Sequence, residues 1–294
     1  MQQPELANLF EANRSHLRAV AYRMLGSANE ADDAVQEAWL RLSRSDAAEI
    51  RNLESWLTTV VARVCLDMLR SRKARREEVL DGEVVEPSTS NAERATDPEQ
   101  EALLADSVGL ALLVVLDTLA PAERVAFVLH DVFDVSFDEI AAIVDRTPAA
   151  ARQLASRARR RVRGEDAVPA SDLKSQRTVI DAFLKALRAG DFAGLIAVLD
   201  PDVVVRLDSA AGTPGAPREL RGAENWARGA VAFARLARFV QPALIDGNVG
   251  LVFAGGGKLS RALIFNIVNE KIIDVEIIAE PARLQQFSIA VLDA

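Results

Sequence analysis

The sequence predicts a multidomain chain: two all-α domains followed by an α+β domain. Three observations lead there. Apolar residues recur at helical spacing from Phe10 to Val162. A polar, acid-rich stretch carrying Pro87, Ser88, Thr89, Ser90 and Pro98 interrupts that helical half between residues 77 and 98. From Asp202 onward, short alternating apolar runs are separated by Asp246-Gly247, Gly255-Gly256-Gly257 and Asn269-Glu270, which suit hairpin turns.

With 294 residues, half of them hydrophobic, the chain has room for two or three small domains and is not disordered. A net charge of −8 would be unusual for a nucleic-acid binder. The charge is segregated, however: arginine gathers in two short stretches and acid lies between them. A duplex responds to local charge within a Debye length. The single cysteine, Cys65, excludes an intrachain disulfide framework and suits a reducing cytoplasm. The opening MQQPELANLF carries no signal-peptide pattern, and no run approaches a membrane span.

In the first domain, residues 5–76, Phe10, Leu17, Val20-Ala21 and Met24-Leu25 mark a helix that Gly26 ends. After a turn at Ser27 to Asn29 comes EADDAVQEAWLRL. Its first turn is acidic, which suits the helix dipole, and Val35, Ala38, Trp39 and Leu42 make its apolar stripe. Asp32, Asp33, Gln36 and Glu37 are left displayed. A third helix, Leu53 to Arg76, begins apolar and ends basic with Arg70, Arg72, Lys73, Arg75 and Arg76. Cys65 lies in its apolar run and reads as a small buried residue. Residues 77–98 read as an acidic flexible linker.

The second domain, 99–165, opens with an apolar helix from Glu99 to Leu119 and another from Pro121. Ser136 to Gly164 then reads as a helix-turn-helix. Ser136 caps a helix with Ile140, Ala141 and Ile143-Val144 inward. Asp145-Arg146 is the turn. Thr147 caps the next helix, with Pro148 at its first position, where a missing N–H is harmless. Ala151, Leu154, Ala155, Ala158 and Val162 face its core. Arg152, Gln153, Ser156 and Arg160 share another face, with Arg157, Arg159, Arg161 and Arg163 at its rim. Arginine there suits phosphates or guanine edges, and Gln153 suits an adenine. A solvated amphipathic helix is the plainer reading of the same residues.

The order GSANEADDAVQEAWLRL, then ESWLTTVVARVCLDMLRSRKARRE, then an acidic linker and a helix-turn-helix resembles an extracytoplasmic-function (ECF) sigma factor of bacterial RNA polymerase over residues 5–165. The resemblance implies that 5–76 is sigma domain two and 99–165 is domain four. It implies core RNA polymerase and promoter DNA as partners. Core-polymerase binding would fall to Asp32, Asp33, Gln36, Glu37 and Leu40. The long helix would recognise and melt the minus-ten element, through Arg51, Asn52, Trp56, Arg63, Arg70, Arg72, Arg75 and Arg76. Arg152, Gln153, Ser156, Arg157 and Arg160 would read the minus-thirty-five element. Trp56 reads better as a core residue seating the loop than as a base-stacking platform.

Residues 171–294 lie beyond the length of a simple ECF factor. One or two helices followed by a curved antiparallel sheet resemble the SnoaL-like cone fold, which a SigJ/ECF41-like group of these factors carries as a built-in regulator. The chain departs from that group's motifs. LDGEVVEPS stands in the linker where Trp-Leu-Pro-Glu-Pro is usual. Asp208-Ser209-Ala210-Ala211-Gly212 only loosely matches Asp-Gly-Gly-Gly-Arg. Glu280-Pro281-Ala282-Arg283-Leu284 stands in place of Asn-Pro-Asp-Lys-Leu. The regulatory contact is therefore expected to differ in detail; Asp208, Arg206, Glu276, Glu280 and Arg283 are candidate regulatory or cavity residues, the first three as polar groups of the cone's cavity.

Catalysis by this domain is not expected. His16, His130 and Tyr22, the histidines and the tyrosine of the chain, all lie in the helical half, so the cone lacks the usual acid–base groups. No metal site or cofactor is expected, and the chain is expected to be a cytoplasmic monomer. A small ligand in the cone is left open. The competing functional reading is a one-component helix-turn-helix regulator with a ligand-binding tail, which would bind duplex DNA without polymerase.

Overall fold

A computed structural model describes residues 3–45, 50, 52–81, 109–164, 170–212, 218–255 and 258–292. The chain divides into two compact units. One comprises Met1–Glu101 and Leu116–Arg159; the other comprises Ala102–Val115 and Arg160–Ala294. Arg51 and residues 82–98 of the expected linker lie outside the described residues.

The first unit begins with α1 (Gln3–Leu25), α2 (Ala28–Arg44) and α3 (Leu53–Asp81), which pack on one another in all three pairings. Gly26 breaks α1 in the left-handed region at φ +73°. Ser27, expected within a turn, is the N-cap of α2, its hydroxyl accepting the Glu30 N–H at 3.4 Å. Leu17, Val20 and Met24 of α1, Ala34, Ala38 and Leu42 of α2, and Leu57, Val61 and Leu66 of α3 are buried. Helix α3 continues to Asp81, beyond the expected end at Arg76. Glu77, Glu78 and Leu80 are good helix formers, and helical propensity there prevails over the acidic-linker reading.

The helix expected from residue 99 is described as α4 (Leu110–Thr118), which follows Gly109 at φ +73°. Next come α5 (Pro121–Phe127), a π-helical turn at Val128–Val132, α6 (Phe137–Val144) and α7 (Pro148–Arg163). Asp145 ends α6 in the left-handed conformation (φ +54°), which produces the sharp turn into α7. Thr147 caps α7, its Oγ1 accepting the Ala150 N–H at 3.2 Å.

Within the first unit α3 also packs against α5 and α6. The Phe133 ring, between the π turn and α6, meets His16 edge-on at 5.4 Å and the Arg23 guanidinium at 5.1 Å. Arg124 is buried on α5. Its guanidinium faces Asp117 at 3.4 Å, and Asp117 lies 3.9 Å from Arg72 of α3. Arg72 in turn donates to the Glu30 carboxylate. Burial, offset by Asp117 and reinforced by Arg72, lowers the Arg124 pKa to about 10.

The second unit contains α8 (Ala170–Ala189), α9 (Phe192–Val198), β1 (Leu199–Leu207), β2 (Glu219–Arg221), α10 (Ala223–Ala232), a 3₁₀ turn at Ala234–Phe239, and β3 (Val240–Ile245). It continues with β4 (Asn248–Gly255), β5 (Lys258–Val268), β6 (Lys271–Ile278), α11 (Pro281–Leu284) and β7 (Ile289–Ala290). The strands form one sheet in the order β2-β1-β6-β5-β4-β3-β7. Strands β3 to β6 are the expected meander, and β1 adds to it parallel to β6, with Val205 opposite Val275. Val203, Val205, Val275 and Phe265 face the helices. There Phe183 of α8 stacks on Trp226 of α10 at 5.1 Å and meets Phe265 at 5.6 Å.

Candidate nucleic-acid interface

Helix α7 sorts its residues as the periodicity predicts. Ala151, Ala155 and Ala158 are buried, and Leu154 is half-buried. Arg152, Gln153, Ser156, Arg157 and Arg160 are the five predicted base- or phosphate-contacting residues, and all are exposed. Two contacts fix the basic face. Arg159 donates to Asp131 in the π turn. The Arg152 guanidinium lies 5.5 Å from the centre of the Phe137 ring, which itself stacks on His130 at 3.9 Å. His130 and Phe137 are not marked by the helical stripe, because their stack spans a turn.

The α6 cap is a reciprocal box. Ser136 Oγ accepts the Glu139 N–H at 3.3 Å, and Glu139 Oε2 accepts the Ser136 N–H at 3.3 Å. The other carboxylate oxygen accepts the Ser55 hydroxyl of α3 at 2.7 Å. Ser55, then Ser136, hold the Glu139 pKa below the usual carboxylate range.

Along α3 the predicted residues divide. Asn52 caps the helix, its Oδ1 accepting the Ser55 N–H at 3.2 Å. Trp56 is half-buried. Arg70 and Arg75 are exposed. Arg70 lies 3.9 Å from Asp67, and Arg75 Nε donates to the Ser71 carbonyl at 3.3 Å. Arg63 is exposed but donates to the Ala142 carbonyl on α6 at 3.0 Å. Arg72 departs from the expectation of a free phosphate-binding group. Its side chain is 17 % exposed and is held by Glu30, Asp117 and the Leu25 carbonyl at 3.3 Å. Arg76 lies on α3, with its side chain outside the described residues.

The acidic helix α2 displays Asp32, Asp33, Gln36 and Leu40 on one exposed face. Asp32 accepts from Arg18 Nε at 2.7 Å, and Glu37 from Arg41 at 2.9 Å. Trp39 packs on Phe10 with ring centres 5.0 Å apart. Cys65 is fully buried, and burial pushes its thiol to about 12.

In the second unit the candidate cavity groups are placed otherwise than expected. Asp208 is a backbone clamp. Its Oδ1 accepts the N–H groups of Ala210 and Ala211 at 3.0 and 2.8 Å, and its Oδ2 those of Ala279 and Glu280 at 2.9 and 2.8 Å. Burial works against its charge, but these four donors outweigh burial and lower its pKa. Arg206 and Glu276 alternate with Val205 and Val275, which face the helices, so both point to the opposite side of the sheet. There Arg206 pairs with Asp274 and lies 3.6 Å from Glu219, while Glu276 accepts from Arg283 at 2.7 Å. Glu280 caps α11 through its backbone.

Comparison with known proteins shows the family of the chain. Residues 9–75 match the family Sigma-70 region 2, and residues 109–162 match Sigma-70, region 4. The chain is 40 % identical over 252 residues to the ECF RNA polymerase sigma factor SigJ of Mycobacterium tuberculosis, covering 84 % of this chain and 80 % of that one. It is 32 % identical over 286 residues to the probable ECF RNA polymerase sigma factor SigI of the same organism, covering 96 % of each. The crystal structure of M. tuberculosis SigJ aligns over 95 % of this chain and 98 % of that one, at 32 % identity and a TM-score of 0.44. With both sigma regions present in order and relatives matched across both units, the chain belongs to the ECF family of RNA polymerase sigma factors.

Proposed function

We propose that this chain directs promoter-specific initiation by core RNA polymerase through three surfaces. The exposed face of α2, with Asp33, Gln36 and Leu40 at its centre and Asp32 and Glu37 beside them, docks on the polymerase. Its acid and apolar mixture suits a basic helical partner. Helix α3 supplies Asn52, Arg63, Arg70 and Arg75 to the minus-ten region, where a basic track is needed for a separated strand. Helix α7 reads the minus-thirty-five element through Arg152, Gln153, Ser156, Arg157 and Arg160. The observation that carries this reading is the exposure of all five α7 residues above a buried alanine face.

The C-terminal α+β domain regulates that activity in cis, without chemistry of its own, and the chain works as a monomer. Residues 171–294 contain no histidine, cysteine or tyrosine, which supports a role without turnover.

Transcription in vitro with purified core polymerase and a promoter library tests both parts, comparing the full chain with one ending at Ala170. Promoter-dependent transcripts are expected from the full chain, with output changed by the truncation. Duplex binding by the full chain alone, without directed initiation, would replace this reading with a one-component regulator. Equal output from both forms would remove the regulatory role.

A further inference from the structure

The π turn Val128–Val132 holds the basic edge of α7 at two points. Arg152 and Arg159 stand about two helical turns apart, so they share one edge of the helix. Arg159 donates to Asp131. The Arg152 guanidinium lies over the Phe137 ring, 5.5 Å from its centre, and His130 packs on the same ring at 3.9 Å with an interplanar angle of 34°. His130 and Asp131 are consecutive residues of the π turn, a wide helical geometry that recurs at functional sites. His130 and Phe137 are half-buried, whereas Arg152 is exposed. Arg152 therefore reaches the surface with its guanidinium already resting on an aromatic ring, which reduces the rotamer freedom it loses on meeting a base.

That ring also carries a group whose charge can change. His130 Nδ1 lies 3.1 Å from the Val135 carbonyl. A carbonyl only accepts, so Nδ1 is the protonated nitrogen of the neutral imidazole, and a second proton goes to Nε2. The Val135 bond survives that step; the imidazole keeps its place and only its charge changes. Protonated, His130 is a second cation on a ring that already holds Arg152, and the two must share the ring's negative face. Their distances to Phe137 keep imidazole and guanidinium within about 9.4 Å of each other, inside the Debye length of about 10 Å at 0.1 M salt. The charged groups of the elements packed around the π turn have other partners. Asp131 holds Arg159; on α1, His16 and Arg23 face Phe133; on α5, Arg124 faces Asp117 and Glu123 accepts the Ala120 N–H; on α6, Glu139 is held by Ser55 and Ser136. Asp134 and Asp138, on either side of Phe137 in sequence, are exposed.

We propose that His130 and Phe137 are positioning residues for Arg152, and that the charge of His130 sets how sharply Arg152 discriminates bases in the minus-thirty-five element. The proposal rests on the reading of α7 given above. With His130 neutral, Arg152 stays on the ring and offers its N–H groups to a guanine edge in a fixed plane. With His130 charged, Arg152 is displaced from the ring and its base is discriminated less. Attraction to phosphate does not fall at the same time, because the added charge is positive. Loss of discrimination is thus separated from loss of binding.

The test measures binding of the full chain with core polymerase to promoters varied one base pair at a time across the minus-thirty-five element, at about pH 8 and about pH 5.8, between which imidazole gains charge. Each ratio of affinities is taken within one pH, so a general effect of pH on the polymerase cancels. The position read by Arg152 is the one whose discrimination R152A removes. There, discrimination by the unmodified chain is expected to fall about threefold or more on acidification. H130Q, which cannot gain the charge, is expected to hold one ratio at both pH values, and H16Q to keep the full fall. F137L is expected to lower discrimination and lose its pH dependence, and F137Y, which restores a ring, to recover both. Equal discrimination at both pH values in the unmodified chain, or a fall that persists in H130Q, would overturn the proposal. Discrimination left intact by R152A at every position would instead remove the reading of α7, and the proposal with it.

Discussion

Glu139 divides its carboxylate between two helices: Oε2 closes the cap of α6 on Ser136, and Oε1 holds the Ser55 hydroxyl of α3 at 2.7 Å. A local helix-start signal and a long-range contact thus depend on one side chain. Glu139→Ala should therefore cost more than Ser55→Ala. Loss of the cap alone is worth about 1 kcal/mol, or roughly 2–4 °C in the melting of a unit this size. Thermal unfolding of both variants checks the order; equal shifts would show that the cap contributes nothing.

The Asp117–Arg124 pair should respond asymmetrically. Asp117→Ala leaves a buried guanidinium without its carboxylate and is expected to destabilise the helical unit by about 3–5 kcal/mol. Adding Arg124→Met should recover most of that loss, because the charge that needed a partner has gone. Denaturant unfolding of the single and double variants measures the recovery.

Substitutions on α7 and α3 should differ in kind. Arg152→Ala is expected to lose about 1–3 kcal/mol of discrimination at one base position. Phe137→Leu, which removes the ring beneath Arg152, should relax the same position to a smaller extent. Arg75→Ala should weaken binding to all sequences alike and reduce the salt slope by about 1. Binding to a promoter library at several salt concentrations separates these patterns.

Asp208 predicts a pH dependence of the C-terminal domain. Its folded pKa lies below the ordinary aspartate value of 3.8, so its stabilising contribution is fully present above that value and disappears as pH falls through the folded pKa. Asp208→Asn should cost about 2–3 kcal/mol at pH 7, as hydrogen bonds to a charged acceptor are lost. The difference between the two proteins should shrink steadily as the solution is acidified below that value. Melting curves across this range give the result directly.

Cys65 should resist thiol reagents at mildly alkaline pH in the folded chain, because burial holds its pKa at about 12. Labelling should appear only with global unfolding. Rapid reaction in native buffer would contradict the packing of α3.

The helical unit was legible in the sequence wherever the signal was local. The Ser136 cap, the Asp145-Arg146 turn, Pro148 at the start of α7 and the buried alanines each follow from near neighbours in the chain. Arg72 was not legible. Its position on a basic helix end is the same whether it meets phosphate or, as found, Glu30 and Asp117 from elsewhere in the chain. The meander β3 to β6 announced itself through its turns, but β2 and β7, three and two residues long, carry no periodicity to read. Asp208 lay in a weak motif match and was read as a polar group of the cavity. Its clamp on Ala279 and Glu280 required knowledge that β1 runs beside β6.

That parallel pairing of β1 with β6 also sets how late the sheet can be completed during synthesis. Leu199–Leu207 waits for Lys271–Ile278, roughly seventy residues later, before its main inner edge is satisfied. During translation the residues of α1 to α3 leave the ribosome first, while β1 stays without its parallel partner until residues 271–278 have been added. A nascent chain therefore passes through an interval in which the helical half is fully synthesised and the sheet of the C-terminal domain cannot yet close.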